Sequence, residues 1–162
     1  MNHFYFNQLA QNIFDFSGTE DFPPIDEYPI WKKTDPFGRS YFGVCHFCDM
    51  DIHIEKDCDL SWLEWDGNEV YLSGNDKEAL FRKAIGIFKS WQAQLQSQFP
   101  EDQFAMLASF DDGSLLFEPE SESDHQSDLH QSFTLRFWKI REGQGPDERM
   151  DSDQPVITWV SD

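Results

Sequence analysis

The sequence predicts an α+β domain: an antiparallel sheet of about five to seven strands, one long amphipathic helix packed on a face, and a short N-terminal helix. Two observations carry that expectation. Strand-length apolar segments come in pairs around turn residues, as hairpins do, instead of alternating with helices. Phe81, Ala84, Ile85, Phe88, Trp91, Leu95 and Phe99 recur at helical steps until Pro100 stops the pattern. No internal repeat is visible, so solenoids and propellers are excluded. The 162 residues fit one domain, residues 1–162.

Each element has its own warrant. Phe6, Leu9, Ile13 and Phe16 share a helical face behind Asn2 as a cap. Residues 18–39 hold Pro23, Pro24, Pro29 and Pro36 with Gly18 and Gly38. That density forbids regular helix and predicts an extended segment wrapped over the domain. Residues 41–47 and 51–56 alternate as strands, with Met50, Ile52 and Ile54 on one face and Asp51, His53 and Glu55 on the other. Residues 60–65 and 69–72 flank Asp66-Gly67-Asn68, a sequence suited to a tight hairpin turn. Asn75-Asp76-Lys77-Glu78 has the form of a capping box for the long helix. After that helix, residues 104–110 and 114–118 form a second hairpin through Asp111-Asp112-Gly113, and residues 133–140 and 156–160 supply two further strands. Residues 118–132 and 142–155 read as acidic loops.

Composition narrows the function. Twelve Lys and Arg against 31 Asp and Glu give a formal charge of -19, which argues against a phosphate backbone or an anionic membrane as partner. A hydrophobic content of 39%, with 16% aromatic residues, is enough for a core and argues against disorder. The first residues carry neither a basic segment nor a long apolar run, and three crowded cysteines suit reduced thiols, so the expected compartment is the cytoplasm.

Cys45, Cys48, His53 and Cys58 have the spacing C-x2-C-x4-H-x4-C, which resembles that of the retroviral-type zinc knuckle. The filling differs. Asp49 and Ile52 stand where knuckles turn on glycine, and an extended strand at ~3.3 Å per residue carries His53 roughly 15 Å from Cys48. The expected reading is therefore free thiols, with no metal and no cofactor. Asp49/Asp51, Asp57/Asp59 and Asp151/Asp153 each match a two-carboxylate metal spacing, but so Asp-rich a chain produces such pairs by chance. No nucleophile elbow, phosphate loop, zinc-protease helix motif or dinucleotide fingerprint occurs. No catalytic residue is assigned.

The acids are unevenly placed. No Lys or Arg stands between Lys89 and Arg136, nor from Asp57 to Asp76, where acids are interleaved with Trp62, Trp65 and Tyr71. The expected contact residues for a basic partner are Asp57, Asp59, Glu64 and Asp66 around the first hairpin, Asp111 and Asp112 at the second turn, and Glu118, Glu120 and Glu122 in the long loop. In overall profile, though not in any motif, this small, acidic, aromatic-rich chain resembles bacterial toxin immunity proteins, including those of contact-dependent and other polymorphic toxin systems. The resemblance implies tight binding to a basic effector such as a nuclease toxin domain, without chemistry by this chain. Two other classes share parts of the profile. One is a DNA mimic that occupies a DNA-binding or restriction enzyme; the other is a small zinc- or thiol-dependent enzyme centred on Cys45, Cys48, His53 and Cys58.

Overall fold

The computed structural model describes residues 4–44, 52–114, 130–146 and 153–162. Five antiparallel strands form the main sheet: β1 (Tyr5–Phe6), β4 (Val70–Gly74), β5 (Phe104–Asp111), β6 (Gln131–Lys139) and β7 (Val156–Val160), in the order β1-β7-β5-β6-β4. A separate two-stranded hairpin pairs β2 (Trp31–Thr34) with β3 (Ser40–Gly43). Among the described residues three α-helices accompany the strands, α1 (Gln8–Ile13), α2 (Leu60–Gly67) and α3 (Lys77–Gln98). This is the expected α+β class. Among the described residues no helix is long and apolar enough to cross a membrane.

Alternation along the strands sets the core. Phe104, Met106, Ala108 and Phe110 of β5, Phe133, Leu135 and Phe137 of β6, and Ile157 and Trp159 of β7 are buried against Phe81, Ile85, Phe88, Trp91 and Leu95 of α3. Asp76 caps α3 by accepting the Ala79 amide at 3.0 Å, one residue later than the expected Asn75. The Pro-rich segment lies along the outer side of α3, so the helix is buried on both flanks. Ile25 donates its amide to the Gly86 carbonyl at 2.9 Å, and a Cβ on Gly86 would sit 2.7 Å from the Ile25 side chain. Glycine within this helix thus admits a close crossing that any larger residue would block. Lys89 Nζ donates to the carbonyls of Thr19, Glu20 and Phe22, and Trp91 Nε1 to that of Tyr28.

Several expectations are corrected. The hairpin over residues 60–72 does not form: residues 60–67 are helix α2, and only β4 is a strand, paired with β6. Asp59 caps α2 through the Trp62 amide at 2.9 Å, and Gly67-Asn68 ends the helix where a β-turn was expected. Residues 52–56 form no strand; the partner of β3 is β2, drawn from the Pro-rich segment and joined by the turn at Asp35-Pro36-Phe37-Gly38. Asp35 Oδ1 accepts the amides of Phe37 and Arg39, while Gly38 takes the left-handed conformation at φ 81°. At the N-terminus the cap is Asn7, and Phe6 belongs to β1. Both edges of β5 are occupied, by β6 and β7, so its hairpin partner is β6; residues 115–118 lie outside the described ones.

α2 takes the place of a ladder. β4 pairs with β6 only as far as Leu135, and beyond it α2 lies along the same edge. Ser61, Glu64 and Asn68, all buried and spaced as one helical face, bond that edge and the hairpin together. Toward β6, Ser61 Oγ donates to the Lys139 carbonyl at 2.7 Å, Glu64 Oε2 accepts the Lys139 amide at 2.7 Å, and Asn68 Nδ2 donates to the Phe137 carbonyl at 3.1 Å. Toward β3, Glu64 Oε1 accepts the Phe42 amide at 3.0 Å and Asn68 Oδ1 the Val44 amide at 3.1 Å. Arg141 closes the cluster with a forked ion pair to both Glu64 oxygens, at 2.7 and 2.9 Å, and a bond to the Ser40 carbonyl.

Two outcomes are expected. Arg141→Met leaves a buried carboxylate without its counter-charge and costs about 3–5 kcal/mol of stability by urea unfolding; a loss below about 1 kcal/mol contradicts this role. Burial raises the Asp35 carboxyl, but the Arg39 and Phe37 amides and the Arg39 guanidinium outweigh it and hold it below the usual range. Its stabilisation is therefore present above the unfolded carboxyl value of about 4 and is lost as pH falls through the lower folded value. Asp35→Asn should flatten the acid limb of the stability curve; an unchanged slope below about pH 4 contradicts it.

Candidate interaction surface

Most of the described cations are engaged within the molecule, while Lys32, Lys33, Lys56 and Arg82 stand exposed to solvent. All of the twelve Lys and Arg residues except Arg149 lie among the described ones. Arg39, Lys83, Arg136, Lys139 and Arg141 pair with Asp35, Glu27, Glu69, Asp102 and Glu64. Lys77 and Lys89 donate to backbone carbonyls, and Lys32, Lys33 and Arg82 lie over the rings of Phe42, Trp31 and Phe22. Arg39 also holds the carbonyls of Glu55, Lys56 and Cys58, which fixes the approach to α2. Among the described residues the five ion pairs engage five carboxylates.

The expected contact residues fall into separate groups. Asp57 and Asp66 are exposed beside α2. Asp59 is half-buried and occupied, as cap of α2 and as acceptor of the Gly145 amide at 2.9 Å. Glu64 is fully buried, which corrects its expected place on the surface: it faces β3 and β6 because it sits on the polar inner stripe of the helix. Burial pushes its carboxyl upward, opposed by the Arg141 guanidinium and the amides of Lys139 and Phe42. Asp111 and Asp112 lie elsewhere. Arg136 beside α2 is registered with Leu107, and Asp111 is four residues further along β5, roughly 13 Å at ~3.3 Å per residue. Glu118, Glu120 and Glu122 lie outside the described residues, as do Cys45 and Cys48. His53 is exposed and Cys58 is a half-buried free thiol. No group of three metal-ligating side chains occurs among the described residues.

Aromatic side chains join the acids near α2. Trp62, 44% exposed, and Asp66 are four residues apart on the outer face of the helix. Trp62 meets Trp65 edge-on at 6.2 Å, and Trp65 meets Trp138 at 4.9 Å. The Arg136 guanidinium lies 5.0 Å from the Trp65 ring centre, donates to the Trp65 carbonyl and pairs with Glu69. Tyr71, 60% exposed, is the cross-strand partner of Thr134 and so the diagonal neighbour of Arg136 on the sheet face away from α3. Trp62, Trp65, Arg136 and Tyr71 thus form one aromatic patch bordered by Asp66 and Glu69. The interleaving of Trp and acid was visible in the sequence; Arg136 was not, because its place depends on the register of β6.

A second concavity lies at the opposite end of the sheet. Leu9 and Ile13 of α1, Pro155 and the turn after β5 line a groove of about 290 Å³, to which Asp111, Asp112 and Asp153 also contribute. The Ser114 hydroxyl and amide hold the Asp112 carboxyl below the usual range. Nothing in the sequence paired Asp153 with Asp111, since β7 brings them together only through its pairing with β5.

No family model, curated protein or solved structure matches this chain.

Proposed function

We propose that this protein is a stoichiometric inhibitor of a basic protein, of the kind represented by immunity proteins that neutralise nuclease-type toxin domains. The observation that carries the reading is the engagement of most described cations in ion pairs and carbonyl bonds within the molecule, which leaves an outward surface dominated by carboxylates, with Trp62 and Tyr71 exposed. Such a surface draws a basic partner in by long-range attraction and repels nucleic acid. Trp62 and Tyr71 supply the rigid apolar area that anchors protein interfaces, with Asp66 beside Trp62 to meet a Lys or Arg. Of the acids expected at the interface, Asp57 and Asp66 remain suited to first contact, while Asp59 and Glu64 serve to place α2.

Immobilised protein incubated with lysate of its source organism tests this. The wild type should retain one basic protein near stoichiometry at low salt, and Trp62→Ala/Asp66→Lys, verified as folded by its unfolding midpoint, should retain at least about tenfold less. Equal retention by the variant, or retention of no basic protein, contradicts the proposal.

A further inference from the structure

We propose that the groove between α1 and the turn after β5 receives an arginine side chain of a basic protein partner. The groove is lined by the apolar side chains of Leu9, Ile13 and Pro155 together with Asp111, Asp112 and Asp153. At about 290 Å³ it lies at the small end of ligand pockets and suits one long side chain better than a drug-sized molecule. Leu9 is 41% exposed, an apolar side chain left uncovered beside three carboxylates.

Both walls are fixed in place. Asn7 binds α1 to the opposite wall, its Oδ1 accepting the amides of Ala10 and Val156 and its Nδ2 donating to the Gln154 carbonyl at 2.9 Å. Phe110 donates its amide to the Pro155 carbonyl at 2.9 Å. In the turn, Asp111 Oδ1 accepts the Gly113 amide at 2.7 Å and Asp112 Oδ1 the Ser114 amide at 2.9 Å, which orients each carboxylate. No ion pair to Asp111, Asp112 or Asp153 occurs among the described residues. Lys77 of α3 is directed to the Ile13 carbonyl and the Phe14 ring.

This combination selects a cation with an apolar stem. The methylenes of arginine cover Leu9 and Ile13, and its planar fork of donors reaches several carboxylates at once, which the compact ammonium of lysine does not. A groove that needs no rearrangement avoids the ordering cost that weakens such contacts. The inference deepens the partner reading above and rests on it only for the source of the arginine.

The test uses the full chain with labelled Leu and Ile methyl groups, titrated by NMR with N-acetyl-arginine amide, its lysine counterpart and its uncharged citrulline counterpart. The arginine compound should shift the Leu9 and Ile13 methyls saturably, more tightly than lysine, while citrulline leaves them unmoved. Asp111→Asn/Asp153→Asn, which preserves the acceptor for Gly113, should weaken arginine binding by about fivefold or more. Equal shifts with citrulline, lysine binding as tight as arginine, or an undiminished affinity in the double variant overturns the assignment. The two proposals fail separately: a silent groove with retention through Trp62 intact removes only the groove, and a responsive groove without a retained basic protein removes only the inhibitor reading.

Discussion

The buried stripe of Ser61, Glu64 and Asn68 is the constraint on which the rest of this fold depends. A five-stranded sheet and a separate hairpin must be joined, and among the described residues no backbone ladder connects them. Each facing amide and carbonyl would lose a hydrogen bond on burial, at about 1–3 kcal/mol apiece, unless side chains supplied partners. α2 supplies them in both directions from one face. The polar inside of α2 then dictates its outside: with Ser, Glu and Asn facing in, Trp62 and Asp66 of the same two turns must face out. The interaction that assembles the fold is also the one that exposes the aromatic patch.

Stability and surface character are coupled in the same way through the cations. Arg39 and Arg141 bracket β3, one holding the segment before α2 and the other holding α2 itself. Lys89 pins the Pro-rich segment to α3. Such buried or half-buried donors are worth more than solvated surface pairs, because water competes less for them. Using Arg39, Lys89 and Arg141 as internal stitching leaves fewer cations to neutralise the surface carboxylates, and the molecule pays in self-repulsion for a predominantly negative surface field.

What could be read from sequence followed the apolar residues. α3 was legible because its buried face is a run of Phe, Ile, Trp and Leu at helical spacing; β7 was legible over its full extent, and β6 nearly so, because inner Phe, Leu, Ile and Trp alternate with outward residues. α2 was misread because its buried face is polar and its exposed face carries tryptophan, the reverse of the pattern that periodicity detects. β2 was hidden in a proline-rich stretch, where local signals favour a loop and only the Asp35 turn makes a hairpin. Of the candidate surface, Asp57, Asp66, Asp111 and Asp112 were legible as acids near turns, whereas the inward role of Glu64 depends on Arg141, far along the chain.

The most direct test of this account is amide hydrogen exchange, followed residue by residue in the native protein. The amides of Phe42 and Lys139 donate to the side chain of Glu64 and that of Val44 to the side chain of Asn68, and the account predicts protection comparable to that of the β5–β6 ladder. Exchange of these three amides at the rate of exposed backbone, beside a protected ladder, would contradict the claim that a polar helix face joins the two sheets.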